Sequence, residues 1–356
     1  MTDKKLVLGT PIYGMDPSVF PWWPAGQQEL YEKNWNRLST FPRVLGRKMA
    51  EYASLSSTLH EFGVDFSILR ICERRLYPRL VKLIDEIASP DRWLPVPALE
   101  KSGSHALYPR DLAVVLPNET ILVNTAANLG PLPDKIGKYR LKRSPLGEGG
   151  RIHIRKHVAV VPTFMSFHSG EGCETYPYHK DLQEAGLTVI QVPNNLMYVN
   201  RGDDPGYIWD DHLDRSMGLL EAKDGSLHLF IDYRYVPVVS GKKIVRVTPA
   251  FREKHFKQIR EQCEKAGVIM HIMPRPLRVP LSLGFMQLED GRTIVTGGEG
   301  QLSELLNKLL GRKRVYHVGG PFRMIPTYNR AGIHCLLNEF PVEFLEYLQN
   351  TPPPPD

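Results

Sequence analysis

Apolar residues recur at intervals of three and four in six stretches of the chain, and that spacing predicts helices. These are Arg47–Glu61 (Met49, Tyr52, Leu55, Leu59), Arg74–Ala88 (Leu76, Leu80, Leu83, Ile84, Ile87), Tyr178–Ala185, Arg252–Ala266 (Phe256, Ile259, Cys263), Gln301–Leu310 (Leu302, Leu305, Leu306, Leu309) and Pro341–Gln349. Shorter apolar runs predict strands at Leu6–Leu8, Asp65–Leu69, Leu112–Leu116, Ile121–Val123, Val158–Val161 and Thr188–Val192. Further strands are expected at His228–Tyr233, Val268–Met273, Leu281–Met286, Thr293–Val295 and Val315–Val318. Strands and helices alternate along the chain, which places it in the α/β class.

One joint recurs within this pattern: a helix, a glycine, then a short apolar strand. It occurs at Gly63, Gly186, Gly267 and, more weakly, Gly311. Glycine suits the left-handed turn that ends a helix. Two strands precede some of the copies, as at Leu281–Met286 and Thr293–Val295, so the spacing suggests a repeated unit of two strands, a helix and a strand. Asp224-Gly225 and Asp290-Gly291 are hairpin signals. Residues 1–350 are expected to form a single domain, with 1–50 peripheral to it. Phe20-Pro21-Trp22-Trp23-Pro24 in that segment suits packing against the domain, a lid or an oligomer contact. Residues 351–356, which are mostly proline, are expected to form a flexible tail.

Composition narrows the class. In 356 residues, 42% are hydrophobic and 24% charged, as in ordinary globular proteins. Lys plus Arg is 45 against 39 Asp plus Glu, and this scattered excess of +6 does not call for nucleic acid. No apolar run reaches the roughly 18 residues of a membrane span. The residues after Met1 read as a strand rather than a signal peptide. Cys72, Cys173, Cys263 and Cys335 form no CxxC pair. Free thiols in a cytoplasmic chain are the expectation, with no cofactor and no membrane partner. Oligomeric state is not readable.

Four polar segments sit in loops or at strand ends, where functional groups are usually displayed. They are Tyr108-Pro109-Arg110-Asp111, Gly147-Glu148-Gly149-Gly150, Asp211-His212-Leu213-Asp214 and Asn329-Arg330-Ala331-Gly332-Ile333-His334-Cys335. Read singly, each has an ordinary explanation. Arg110-Asp111 suits a surface ion pair, Glu148-Gly149-Gly150 a turn, and His212-x-Asp214 a solvated loop, a metal pair or a base with its carboxylate. Cys335 suits buried filler or a nucleophile. Read together, three carboxylates, a histidine and a cysteine suit a cationic electrophile. Paired carboxylates hold a planar guanidinium by forked hydrogen bonds, a thiolate adds to its central carbon, and a histidine protonates the departing nitrogen.

At these residues the sequence resembles the guanidino-modifying superfamily, the penteins, which includes deiminases, dimethylarginine dimethylaminohydrolase and the amidinotransferases. The resemblance implies a five-bladed α/β propeller with pseudo-fivefold repeats, and it runs in order from about Tyr108 to Pro341. It implies that Asp111 and Asp214 hold the guanidinium, that Glu148 acts beside the histidine, and that His212 is the general acid/base. Cys335 would be the nucleophile, and Arg330 would grip a substrate carboxylate. Two positions depart from the family pattern: Arg151 stands where an acid or amide is usual, and Ala331 where a glycine is common. The implied function is hydrolysis of a small cationic, arginine-like guanidino compound through a covalent amidino-cysteine, releasing ammonia or an amine. An amidinotransferase or a noncatalytic binding module on the same fold is the alternative.

Overall fold

The computed structural model describes residues 4–9, 41–70, 90–99, 108–166, 172–174, 176–199, 206–210, 212–232, 237–238, 249–273, 285–296, 301–318 and 333–354. The helix expected over Arg74–Ala88, the Phe20–Pro24 segment, Cys72 and Arg330 lie outside them.

One pairing scheme occurs five times: an antiparallel strand pair whose second strand also pairs in parallel with a third. In chain order, β1 (Lys4–Leu8), α1 (Phe41–Glu61) and β2 (Phe66–Arg70) belong to a unit completed from the far end of the sequence. Next come β3 (Ala113–Val115), β4 (Thr120–Asn124) and β5 (Tyr139–Ser144). The following unit is β6 (His153–Arg155), β7 (Val158–Pro162), α2 (His179–Glu184) and β8 (Thr188–Val192). Then come β9 (Met217–Glu221), β10 (Leu227–Asp232), α3 (Pro249–Lys265) and β11 (Val268–Met273). After them stand β12 (Phe285–Gln287), β13 (Thr293–Thr296), α4 (Gln301–Leu310) and β14 (Val315–Val318). Finally β15 (Leu337–Pro341) pairs antiparallel with β1, Leu6 opposite Glu339, and β1 pairs in parallel with β2. The helix α5 (Val342–Asn350) follows. The other four units repeat this order, as β3-β4-β5, β6-β7-β8, β9-β10-β11 and β12-β13-β14.

Local chemistry explains the repetition. Gly63, Gly186, Gly267 and Gly311 all have positive φ, at the four joints expected of them. The two-strand turns also reuse one conformation: Glu119, Lys156, Gly225 and Gly291 each turn with positive φ between the paired strands. On α4, Leu302, Leu306 and Leu310 are buried four residues apart, so one stripe faces the sheet. The closing unit buries Val7, Leu8, Phe66, Ile68, Phe340 and Phe344 together.

Several elements differ from the expectations above. β5 (Tyr-Arg-Leu-Lys-Arg-Ser) carries exposed basic residues among its apolar ones and has no continuous apolar run. β9 contains Gly218, whose missing side chain admits the Phe285 ring; a Cβ there would lie 2.6 Å from Cζ. β15 buries Asn338 in mid-strand. A sheet of Asn194–Val199, Gly206–Asp210 and Pro237–Val238 is inserted among the units. Pro354 is buried beside Gly130, where a frayed end is expected.

β1 is bonded on both edges, so a proline within it removes ladder bonds that nothing replaces. Leu6→Pro is expected to lower the unfolding free energy by about 3 kcal/mol or more. A urea midpoint unchanged from the unaltered protein would contradict the closing role of this strand.

Candidate active site

Four short turns meet at one place, and each immediately precedes the first strand of a unit. Pro109–Asp111 precedes β3, Gly149–Arg151 precedes β6, and Leu213–Arg215 precedes β9, all as single 3-10 turns. A one-turn helix, Ile333–Leu336, precedes β15. The four segments singled out in the sequence therefore occupy the same position in four of the five repeats of the architecture. Asp111, Glu148, His212, Asp214 and Cys335 are brought together by that equivalence.

Asp214 sits between the sulfur and the histidine. Cys335 Sγ donates to Asp214 Oδ2 at 2.9 Å, and both residues are 3% exposed. His212 Nδ1 is 3.9 Å from Asp214 Oδ1, while His212 Nε2 lies 2.5 Å from Glu148 Oε1. The imidazole is thus held between two carboxylates. His212 caps the 3-10 turn that carries Asp214, and that turn brings the two side chains together. His334 Nδ1 lies 3.8 Å from the same Asp214 Oδ2.

The glycines set the spacing. A Cβ on Gly150 would stand 2.5 Å from His212 Nδ1, and one on Gly149 would stand 2.4 Å from the Arg110 carbonyl. Neither approach is open to any other residue without movement. The Gly150 N–H donates to Asp111 Oδ1 at 3.2 Å, which fixes Asp111 toward the cluster.

Two arginines that the motif reading left without a role organise these loops. Arg110 donates through Nε to Gly149 O, through Nη2 to Ile152 O and through Nη1 to Asn338 Oδ1, at 3.2, 3.2 and 3.3 Å. Asn338 Nδ2 in turn donates to Pro109 O and Ala113 O. Burial lowers the Arg110 guanidinium to about 10, with Arg155 also lowering it and Asp214 opposing. Arg151 is buried and places Nη2 2.9 Å from Glu148 Oε2, while Nη1 donates to Pro145 O. The departure from the family pattern at Arg151 thus supplies Glu148 with an ion-pair partner. Its signal in the sequence was the i,i+3 spacing from Glu148.

The cluster gathers two carboxylates and an imidazole at one place. Asp111, Glu148 and His212 offer ligand atoms within 4.8 Å of one another. The fixed Arg151 charge beside Glu148 opposes a divalent ion more strongly than a monovalent one, since the repulsion scales with charge. Among the other thiols, Cys263 is buried within α3 and pushed up to about 12, chiefly by burial, as suits filler.

Burial pushes the Asp111 carboxyl up to about 7; His212 opposes this, while Glu148 and Asp214 add to it. Because its folded value lies above its unfolded one, the native state holds a proton that the unfolded chain has lost between about pH 4 and 7. This group's contribution to stability is therefore lost as pH rises through that window. Asp111→Asn is expected to flatten this part of the stability profile and to stabilise the protein at pH 7. Parallel urea curves at pH 4 and 7 for both forms measure it, and an equal slope in the two would refute the assignment.

No family model matches the chain, and no curated protein matches it. Among solved structures it is similar to agmatine deiminase of C. jejuni, at 15% identity and a TM-score of 0.49, over 85% of this chain and 89% of that one. It is similar to a putative peptidyl-arginine deiminase at 13% identity and a TM-score of 0.45, over 83% and 90%. It is also similar to an amidinotransferase from Microseira wollei at 11% identity and a TM-score of 0.41, over 94% and 93%.

Proposed function

We propose that the chain is a cysteine-dependent hydrolase of a small, arginine-like guanidino compound. The observation that carries this reading is the buried Asp214 carboxylate, shared between the Cys335 sulfur at 2.9 Å and the His212 ring at 3.9 Å. A carboxylate bonded to a thiol disfavours the thiolate while the site holds no cation. A guanidinium laid between Asp111 and Asp214 replaces that hydrogen bond with forked ones and supplies the positive charge that releases the proton. Substrate binding and nucleophile activation then become one event.

The reaction proceeds in two halves. The Cys335 thiolate adds to the amidine carbon, and the C–N bond to the departing nitrogen breaks as His212 gives that nitrogen a proton. An amidino-cysteine remains. Water then adds to its carbon, its proton passes to His212, and the C–S bond breaks to return the thiolate. Glu148 orients His212 through Nε2 and stabilises its charged form. Arg151 pairs with the other Glu148 oxygen at 2.9 Å and holds that carboxylate in place. Carboxylates on this side of the sulfur would repel a developing oxyanion, which argues against an amide-cleaving thiol hydrolase. The reaction calls for no cofactor. Arg330, five residues before Cys335, is assigned the substrate's carboxylate.

The proposed framework is a single α/β domain over 1–350 whose five units form a five-bladed propeller. The fivefold strand pairing and the gathering of four equivalent turns support it.

The test is intact-protein mass measurement after incubation with arginine, agmatine, methylated arginines and guanidino acids, followed by rapid acid quench. A covalent amidino adduct on Cys335 is expected, with ammonia or an amine released. Cys335→Ala is expected to abolish turnover, and His212→Gln to lower it by about 10²-fold or more. Near-normal turnover by a folded Cys335→Ala protein would sink the mechanism, and turnover only with an added acceptor amine would favour an amidinotransferase.

A further inference from the structure

Glu148 and Arg151 bracket the two glycines of one tight turn, three residues apart. The turn closes through the Arg151 N–H, which donates to the Glu148 carbonyl at 2.9 Å. The side chains meet as well, Arg151 Nη2 against Glu148 Oε2, and are only 7% and 14% exposed. The guanidinium has a second hold, because Nη1 donates to the Pro145 carbonyl at 3.4 Å. That carbonyl belongs to the preceding turn, Pro145–Gly147, which the Ser144 side chain caps. A planar fork with donors in fixed directions can grip a carboxylate and a carbonyl at once. The position is one where the sequence leaves the pattern that it otherwise resembles, so this hold belongs to this chain.

The Glu148 carboxylate divides its oxygens between two partners. Oε2 takes Arg151, and Oε1 lies 2.5 Å from His212 Nε2. A carboxylate pinned at one oxygen cannot turn about its last bond without giving up that pair, so the direction of the other oxygen is set too. The opposite edge of the imidazole lies against Gly150, where a Cβ would stand 2.5 Å from Nδ1. The ring is therefore held between a carboxylate fixed by Arg151 and a backbone that leaves it no slack. Taking away one member of a buried ion pair strands the other. Without Arg151, Glu148 turns to recover a partner for Oε2, and the His212 ring loses its fixed edge.

We propose that Arg151 is a positioning residue for proton transfer, aiming His212 through Glu148 at the departing nitrogen and then at the attacking water. The inference rests on the reading of the chain as a guanidino hydrolase. A nitrogen needs a proton to leave, because its anion is too basic to depart alone, whereas a thiolate leaves without one. An isothiourea in which methylthio replaces the departing nitrogen separates the two cases. The Cys335 S–C bond forms, the C–S bond to the methylthio group breaks with its electron pair, and methanethiolate leaves. The amidino-cysteine that remains is the one the guanidino compound gives. A residue that acts through the proton donor slows the guanidino compound and spares the isothiourea. One that merely keeps the site folded slows both.

Each guanidino compound of the mass measurement is paired with its methylthio analogue, and rapid acid quench follows formation and decay of the adduct on Cys335. In Arg151→Met, formation from the guanidino compound is expected to slow by about tenfold or more, and formation from the analogue to stay within about twofold. Decay of the shared adduct is expected to slow whichever compound made it, since water also gives its proton to His212. Arg151→Lys keeps a cation against Glu148 but not the second hold on Pro145, and is expected to show the same pattern with a smaller loss. It carries the comparison where thermal unfolding shows that Arg151→Met does not fold. In a Glu148→Gln background, adding Arg151→Met is expected to change formation by less than about twofold, because the path through Glu148 is already cut. Equal slowing of both compounds, or losses that multiply in the double variant, would overturn the positioning role and leave the hydrolase reading intact. If the unaltered protein forms no adduct with any compound, the hydrolase reading fails and the role of Arg151 fails with it.

Discussion

The candidate site depends on one guanidinium, that of Arg110. It reaches three places at once: the Gly149 carbonyl, the Ile152 carbonyl and the Asn338 side chain. Those groups belong to the segment that carries Glu148 and the strand that follows Cys335, while Arg110 itself adjoins Asp111. A planar fork with donors in fixed directions can span three such acceptors, whereas an ammonium presents one point of charge. Among the described residues, carbonyl and amide oxygens satisfy this cation without a salt bridge. Arg110 also feels Asp214 and Asp111 through space.

Around that tie, geometry follows from repetition. Each of the four turns sits ahead of a first strand, so residues far apart in the sequence arrive at equivalent places. No turn needs a long excursion to reach the others. The small residues sit where backbones must come close, Gly149 against Arg110 and Gly150 against His212. The cost is a crowd of partly buried charge. Asp111 is driven toward neutrality, and Arg151 is drawn in to accompany Glu148. Like charges held out of water and this close raise one another's free energy, and the shift at Asp111 reflects it.

Much of this was legible in the sequence where local rules act alone. The helix–glycine–strand joints appear at Gly63, Gly186, Gly267 and Gly311 with positive φ, because the left-handed turn constrains residue type directly. Thr188–Val192 and Val268–Met273 coincide with their apolar runs. β5, β9 and β15 were hidden, because tertiary packing sets their pattern. β5 exposes Arg140 and Lys142, β9 relies on Gly218 to admit a ring, and β15 buries an asparagine whose amide donates to carbonyls more than two hundred residues away. Within the site, the five polar residues were visible as motifs. The ties made by Arg110 and Arg151 were not, since each depends on carbonyls or carboxylates that no spacing encodes.

The closing unit carries a consequence for synthesis. Cys335 precedes β15, and β15 finds its partner in β1, which leaves the ribosome more than three hundred residues earlier. The earlier units can assemble as they emerge, but the segment bearing the thiol is made after all of them and only then joins the β1–β2 pair. Strand β1 must wait, half-paired with β2, through most of translation. An incomplete chain therefore cannot seat the Cys335 sulfur beside Asp214 until β15 has paired with β1.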